Sequence, residues 1–352
     1  MGHTTHFFLG ANSADGFYSL YHEIAANPAL YVYFLKGGPG GGKSTFIRAI
    51  GERATALRQD VEYILCSGDP DSLDGVILPE LGKAWLDATA PHALEPAPYG
   101  VQGEYLHLGR FCRTEKLLGS PEEIGKLGEA YRQQYRYANA YLSAAGKLKR
   151  ASVSDCRDSF TAQLVRKRAE SKFNRLGARS YVAEQESQPV KRFLRAVSCR
   201  GVYGCPGTLD ALCDQLCVCE SQYGLEQLYF RELMRLSRDK GLPTVQCLHP
   251  LCPELTEAVL YPDQRFGVIT PEALPDYSGT LRTVHLDTYL TAADKKARKH
   301  LEKQLSGLTE SACIHLQKGK VIHDQLEALY RPALDIPALR EFTAQYIGTL
   351  FP

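Results

Sequence analysis

One run, Tyr31-Val-Tyr-Phe-Leu-Lys-Gly-Gly-Pro-Gly-Gly-Gly-Lys-Ser-Thr-Phe-Ile-Arg-Ala-Ile50, restricts the fold of this chain more than any other segment. Its first five residues are apolar or aromatic and have the length of a buried strand. Beyond the glycines, Phe46, Ile47, Ile50, Ala54 and Leu57 fall on one helical face. The expected local order is therefore strand, glycine loop, helix. Gly37, four residues, then Gly42-Lys43-Ser44 satisfies the phosphate-binding loop pattern in the context that pattern requires.

The chemistry explains the residue types. Gly37, Gly38, Gly40, Gly41 and Gly42 permit positive φ, and without side chains their amides can close around a phosphate chain. Pro39 and Thr45 complete the segment expected to line a nucleotide. A helix starting near Lys43 adds its positive dipole end. Lys43 can reach the β and γ phosphates, and the Ser44 hydroxyl can ligate Mg²⁺ bridging the same oxygens. Such a site also needs a carboxylate at the end of a neighbouring strand. Asp69 and Asp71 follow Val61–Cys66, but Asp87 is the preferred metal carboxylate, because it ends the apolar run Lys83-Ala-Trp-Leu-Asp87. Thr89 and His92, in the loop after it, are candidates to orient the nucleophile.

At 352 residues the chain has room for about two domains. With 44% apolar and 23% charged residues it can bury cores of that size. A net charge of +1 gives no overall field to gather nucleic acid or anionic membrane. No apolar stretch approaches the roughly 20 residues of a membrane span. Met1–Phe8 lacks the pattern of a secretory signal, so a cytoplasmic location is expected. Eleven cysteines fit reduced thiols better than a disulfide framework.

An internal repeat accounts for two domains. His6–Tyr18 is echoed by Arg192–Tyr203 at an offset of 185; Ser44–Ile50 by Gln227–Leu233, Asp69-Pro-Asp71 by Cys252-Pro-Glu254 and Pro79-Glu80 by Pro262-Asp263 at 183. The expected division is 1–183, a polar linker 184–190, and 191–352. Aligned this way, the second copy has lost its phosphate site: Glu226 stands for Lys43, Gln227 for Ser44 and Thr270 for Asp87.

Each half is expected to carry a helical hairpin. Ser120-Pro-Glu-Glu123 is a good helix start, followed by the stripe Leu127, Tyr131, Tyr135, Ala138 and Leu142, with a second helix over 154–176 folding back on the first. In the other half, 292–317 and 321–330 read as two helices. Lys147 to Arg179 holds ten Lys and Arg against three acidic residues. A nucleic-acid surface is conceivable there, but a solvated helix face is the plainer reading, since aromatic residues are not interleaved. Cys213, Cys217, Cys219, Cys247, His249 and Cys252 lack paired zinc spacing and read as a buried thiol cluster.

His6–Tyr21, Leu35–Thr45, Ser72-Leu-Asp-Gly-Val76 and Leu86-Asp-Ala-Thr-Ala-Pro-His92 resemble a bacterial family of tandem P-loop ATPases, with the likeness spanning nearly the whole chain. The resemblance implies an α/β fold of two tandem P-loop NTPase-type domains, mostly parallel sheets wrapped by helices, and ATP binding with no named substrate. Family members commonly keep a P-loop in the second half; this chain departs there. The leading expectation is a Mg²⁺-dependent ATPase. The alternatives are a small-molecule or nucleotide kinase, with an acceptor pocket under Glu95–Tyr105, and a non-enzymatic nucleotide switch.

Overall fold

The computed structural model describes residues 2–96, 98–154, 159–175, 188–221, 224–273, 277, 279–286 and 292–352. Its first sheet is built from β1 (Thr4–Phe7), β4 (Tyr31–Lys36), β5 (Val61–Leu65), β6 (Leu73–Leu78), β7 (Lys83–Asp87) and β8 (Gly103–His107), in the order β1-β5-β6-β7-β4-β8. Every neighbouring pair is parallel except the two made by β6, so the sheet is mixed but mostly parallel. A hairpin, β2 (Gly10–Ser13) with β3 (Gly16–Ser19), and the short helix α1 (Tyr21–Ala25) precede β4; α2 (Lys43–Ala56) follows it. Phe46, Ile47, Ile50 and Ala54 of α2 are buried, as their helical spacing requires.

The second sheet repeats this plan. It comprises β9 (Val190–Arg192), β12 (Gln215–Glu220), β13 (Val245–Leu248), β14 (Thr256–Tyr261), β15 (Phe266–Ile269) and β16 (Thr280–His285), in the order β9-β13-β14-β15-β12-β16. Again only the pairs made by β14 are antiparallel. The hairpin β10 (Arg195–Ser198) with β11 (Gly201–Gly204), helix α5 (Pro206–Leu212) and helix α6 (Leu225–Asp239) stand where their counterparts stand in the first half. Small hydrogen bonds recur with them. Ser13 Oγ donates to Gly16 O and accepts from Asp15 N; Ser198 does the same with Gly201 and Arg200. Ser44 Oγ accepts from Leu73 N, and Gln227 Oε1 accepts from Thr256 N, each at 2.9 Å.

The halves meet about an approximate two-fold axis. Phe8 and Phe193, 185 residues apart, exchange both backbone hydrogen bonds, at 2.9 and 3.0 Å. Ala14 N donates to Leu251 O, and Cys199 N donates to Gly68 O. Side chains break the symmetry. Arg200 pairs directly with Asp71; the equivalent positions are both acidic, Asp15 and Glu254, and Arg150 bridges them.

Two long helices, α3 (Pro121–Ser154) and α7 (Ala292–Tyr330), run antiparallel across this axis, burying Ala138, Leu142, Ala312 and Leu316 between them. They are followed by α4 (Ser159–Arg175) and α8 (Ile336–Leu350). The terminal helices are exchanged. Val165, Ala169 and Phe173 of α4 join the core of the second half with Leu225 and Tyr229, whereas α8 packs on the first half, with Phe342 stacked 5.9 Å from Phe46 and Tyr346 Oη accepting from Trp85 Nε1 at 2.9 Å.

Three expectations are corrected. The helix expected over 154–176 packs on α6 rather than folding back on α3. The region expected as two helices, 292–317 and 321–330, is one continuous helix that runs through Gly319, packed against Tyr135 of α3. Helix α8 was not expected at all. The basic stretch also serves the junction: Lys149 pairs with Glu272, Arg150 with Asp15 and Glu254, Arg168 donates to His285 O, and Lys172 lies 4.6 Å over the Phe266 ring. The linker positions 184–187 lie outside the described residues. Among the described thiols, Cys213, Cys217, Cys219, Cys247 and Cys252 are buried and in no disulfide. No described helix is long and apolar enough to cross a membrane.

Because Phe193 is fully buried at the axis, Phe193→Ala is expected to cost about 3–5 kcal/mol. Urea unfolding measures it; a cost below about 1 kcal/mol would show that this junction does not hold the halves together.

Candidate functional site

The glycine loop joins β4 to α2 at the carboxyl end of the sheet, where α/β proteins place ligands. Gly40 and Gly42 have φ of +62° and +81°, and Gly42 is the N-cap of α2. Gly41 N donates to Gly38 O at 3.1 Å, closing the turn. Lys43 folds over it: Nζ donates to Gly37 O at 2.8 Å and to Gly38 O at 3.2 Å, and lies 3.6 Å from Asp87 Oδ2. Strand pairing puts Asp87 there, since β4 and β7 are adjacent and Leu35 is opposite Asp87.

Asp87 also orders the loop beyond it. Its Oδ1 accepts from Thr89 N at 2.8 Å and from Thr89 Oγ1 at 2.6 Å. Lys36, at the end of β4, holds the same loop by donating to Ala88 O and Leu94 O. His92 is buried: its Nε2 is 3.2 Å from Asp74 Oδ2, and its ring lies against Tyr21 and Phe17. Tyr21 Oη donates to the same Asp74 oxygen at 3.0 Å. Burial disfavours the charged imidazole, but the Asp74 carboxylate outweighs it and raises the His92 pKa above 6.5. No hydrogen-bond partner meets His92 Nδ1 among the described residues.

These groups line one cavity of about 1460 Å³, and its opposite wall belongs to the second half. The end of α7 and the start of α8 lie directly on the glycines. The Tyr330 ring faces Gly38, Glu327 faces Gly40, and a Cβ at Gly42 would strike Leu339. Glu327 Oε1 accepts the Gly40 amide proton at 3.1 Å. Lys320 pairs with Asp69, at 3.3 Å, and with Asp324. Of the two alternative carboxylates, Asp69 thus faces the cavity but is paired, and Asp71 is paired with Arg200 away from it.

No family model, curated protein or solved structure matches this chain. The site therefore has to be read from its own groups.

Gly37 to Ser44, Thr45, Asp87, Thr89 and His92 are brought together, all except Gly38 among the cavity's lining and Gly38 as Lys43's acceptor. None of the described residues of 95–105, the segment expected to cover an acceptor pocket, lines this cavity. Sequence reasoning missed Asp74, Tyr131, Tyr135 and the whole α7–α8 wall. The Asp74 signal was the buried acid in an otherwise apolar strand, Leu73–Leu78; the wall had none, because it comes from the far end of the chain.

The equivalent place in the second half is filled. Four positions separate β12 from α6 where six separate β4 from α2, Gly224 caps the helix with φ +75°, and Val153 of α3 lies over it. Glu257, the counterpart of Asp74, is fully buried and bound by Arg195 at 2.9 and 3.0 Å. Lys149 and His249 both reach Glu272 beside that pair.

The Asp74–His92 pair has a measurable sign. A raised folded pKa gives stability that is present below about pH 6.5, the unfolded value, and is lost as pH rises through the folded value. NMR titration of the His92 ring is expected to show a pKa above 6.5, and Asp74→Asn to lower it, since burial and Lys43 are then opposed only by the more distant Asp87. An unchanged value in the variant would remove Asp74 as the cause.

Proposed function

We propose that the chain binds a nucleoside triphosphate, ATP by its family resemblance, with Mg²⁺ at the glycine loop and hydrolyses it. The observation that carries this reading is the state of the loop itself: its Gly40 amide already holds an anionic oxygen, that of Glu327, beside the Lys43 ammonium. Backbone amides at the start of a helix with a lysine among them form an anion site of the kind phosphates occupy.

The donor set fits a hard divalent cation. Ser44 and Asp87 offer oxygen ligands on one cavity wall; bound there, Mg²⁺ would neutralise charge on the phosphate oxygens. Lys43 exchanges its loop carbonyls for phosphate oxygens. Thr89, fixed by Asp87, and His92, fixed by Asp74, stand on the wall from which water approaches. In this reading the second half does not bind nucleotide, because Leu225 and Glu226, and no lysine, follow the N-cap Gly224, and Val153 lies over that glycine.

One observation favours transfer to an acceptor other than water. A cavity of about 1460 Å³ exceeds the roughly 300–1,000 Å³ usual for one small ligand. Following labelled γ-phosphate to water or to a metabolite separates the two reactions.

Lys43→Ala is expected to weaken ATP·Mg²⁺ binding by about 2–3 kcal/mol, roughly 30- to 150-fold in Kd, and to abolish turnover. Calorimetry and phosphate release measure both; unchanged values would sink the reading. Glu327→Ala frees the Gly40 amide and is expected to tighten ATP binding by about 1 kcal/mol, roughly fivefold. Weaker binding in that variant would show that Glu327 helps hold the nucleotide instead of competing with it.

A further inference from the structure

Among the described residues, two cations on the second half's wall have no ion-pair partner. Arg331 follows Tyr330, whose ring lies against Gly38, and Arg340 follows Leu339, which meets Gly42. Each arginine is thus the chain neighbour of a residue seated on the loop. Both line the cavity and both are exposed. Neither makes an ion pair among the described residues. The other charges of that wall are engaged: Lys320 with Asp69 and Asp324, and Glu327 with the Gly40 amide. A guanidinium carries five donors in a planar fork that matches phosphate oxygens. Two such forks, exposed in the cavity that the anion-binding loop also lines, are placed for the charge that develops during phosphoryl transfer.

We propose that Arg331 and Arg340 neutralise the transferring phosphoryl group, so that the half without a working loop completes the site of the half that has one. The proposal rests on the glycine loop's being a triphosphate site. In the step, the oxygen of the attacking water bonds to the γ-phosphorus as the bond to the β–γ bridging oxygen breaks. That oxygen leaves on ADP with the electron pair, and the water's proton passes to the released phosphate. Charge gathers on the bridging and γ oxygens, and fixed guanidinium donors stabilise it more in the transition state than in bound ATP.

The test uses the full chain with Arg331→Ala, Arg340→Ala, the double alanine variant and the double lysine variant. Binding of a non-hydrolysable ATP analogue with Mg²⁺, steady-state turnover, and binding of ADP with aluminium fluoride are measured. The double alanine variant is expected to keep analogue affinity within about threefold, to lose about 10³-fold or more in kcat, and to lose the aluminium fluoride complex. Lysine keeps charge and bulk but not the fork, so the double lysine variant should stay at least about tenfold below the parent. It decides the matter should the alanine protein fail to fold. Parent-like turnover in the double variants, or equal losses in analogue binding and turnover, would overturn the assignment. A parent protein that binds no analogue would bring down the triphosphate reading and this assignment together, an outcome distinct from either.

Discussion

The seating of the α7–α8 turn on the glycine loop is the constraint on which the rest of the molecule depends. Gly40 and Gly42 take left-handed φ, which already favours glycine. The turn adds a second demand at 42, where a Cβ would come 2.4 Å from Leu339, while Tyr330 and Glu327 lie at contact distance from 38 and 40. Loop and cover therefore form one unit although some 290 residues separate them. The same packing buries Phe46 and Trp85, which would face water if α8 were elsewhere. Neither half closes its own core, and the exchange of α4 and α8 across the axis follows from that.

One architecture built twice has reached two different ends. In the first half the space between loop and cover is lined by polar groups that can change partners. In the second it is taken up by Val153, by the apolar face of α4 and by an ion network around Glu257. Buried charges of this kind hold a structure only while every partner is present. Glu257 meets Arg195, and Glu272 meets Lys149 and His249, so two carboxylates face two permanent cations and an imidazole whose pKa burial lowers to about 4. The network needs Lys149 from α3, just as the open site needs Glu327 from α7.

What could be read from the sequence was local. Strand β4, the glycine loop and α2 carry their periodicities and their turn chemistry within one short run. The weak echoes at offsets of 183 and 185 proved informative for a physical reason: Ser13 with Ser198, Ser44 with Gln227, and the turns after β6 and β14 preserve hydrogen bonds even where side-chain types have changed. Asp87 could be chosen over Asp71 because a strand end points at the loop, whereas Asp71 is drawn to Arg200 across the axis. The path of α4, the continuity of α7 and the arrival of Glu327 could not be read, since an apolar helix face specifies that it will be covered and leaves open by what.

Lys43 at rest is bound to the carbonyls of Gly37 and Gly38 and lies near Asp87, and the Gly40 amide is bound to Glu327. In the proposed cycle, a triphosphate arriving here substitutes for these partners; it does not fill an empty cradle. Its affinity is the difference between two sets of charge-assisted bonds, which is smaller than either set alone. The exchange has a useful direction. As Lys43 turns to phosphate, Asp87 loses its cation and becomes the better ligand for Mg²⁺ entering with the nucleotide. As Glu327 leaves Gly40, the end of α7, which packs along α3, gives up one of its bonds to the loop while Tyr330 and Leu339 keep their contacts with it. A site assembled from both halves in this way makes its occupancy, in the proposed cycle, depend on the whole chain.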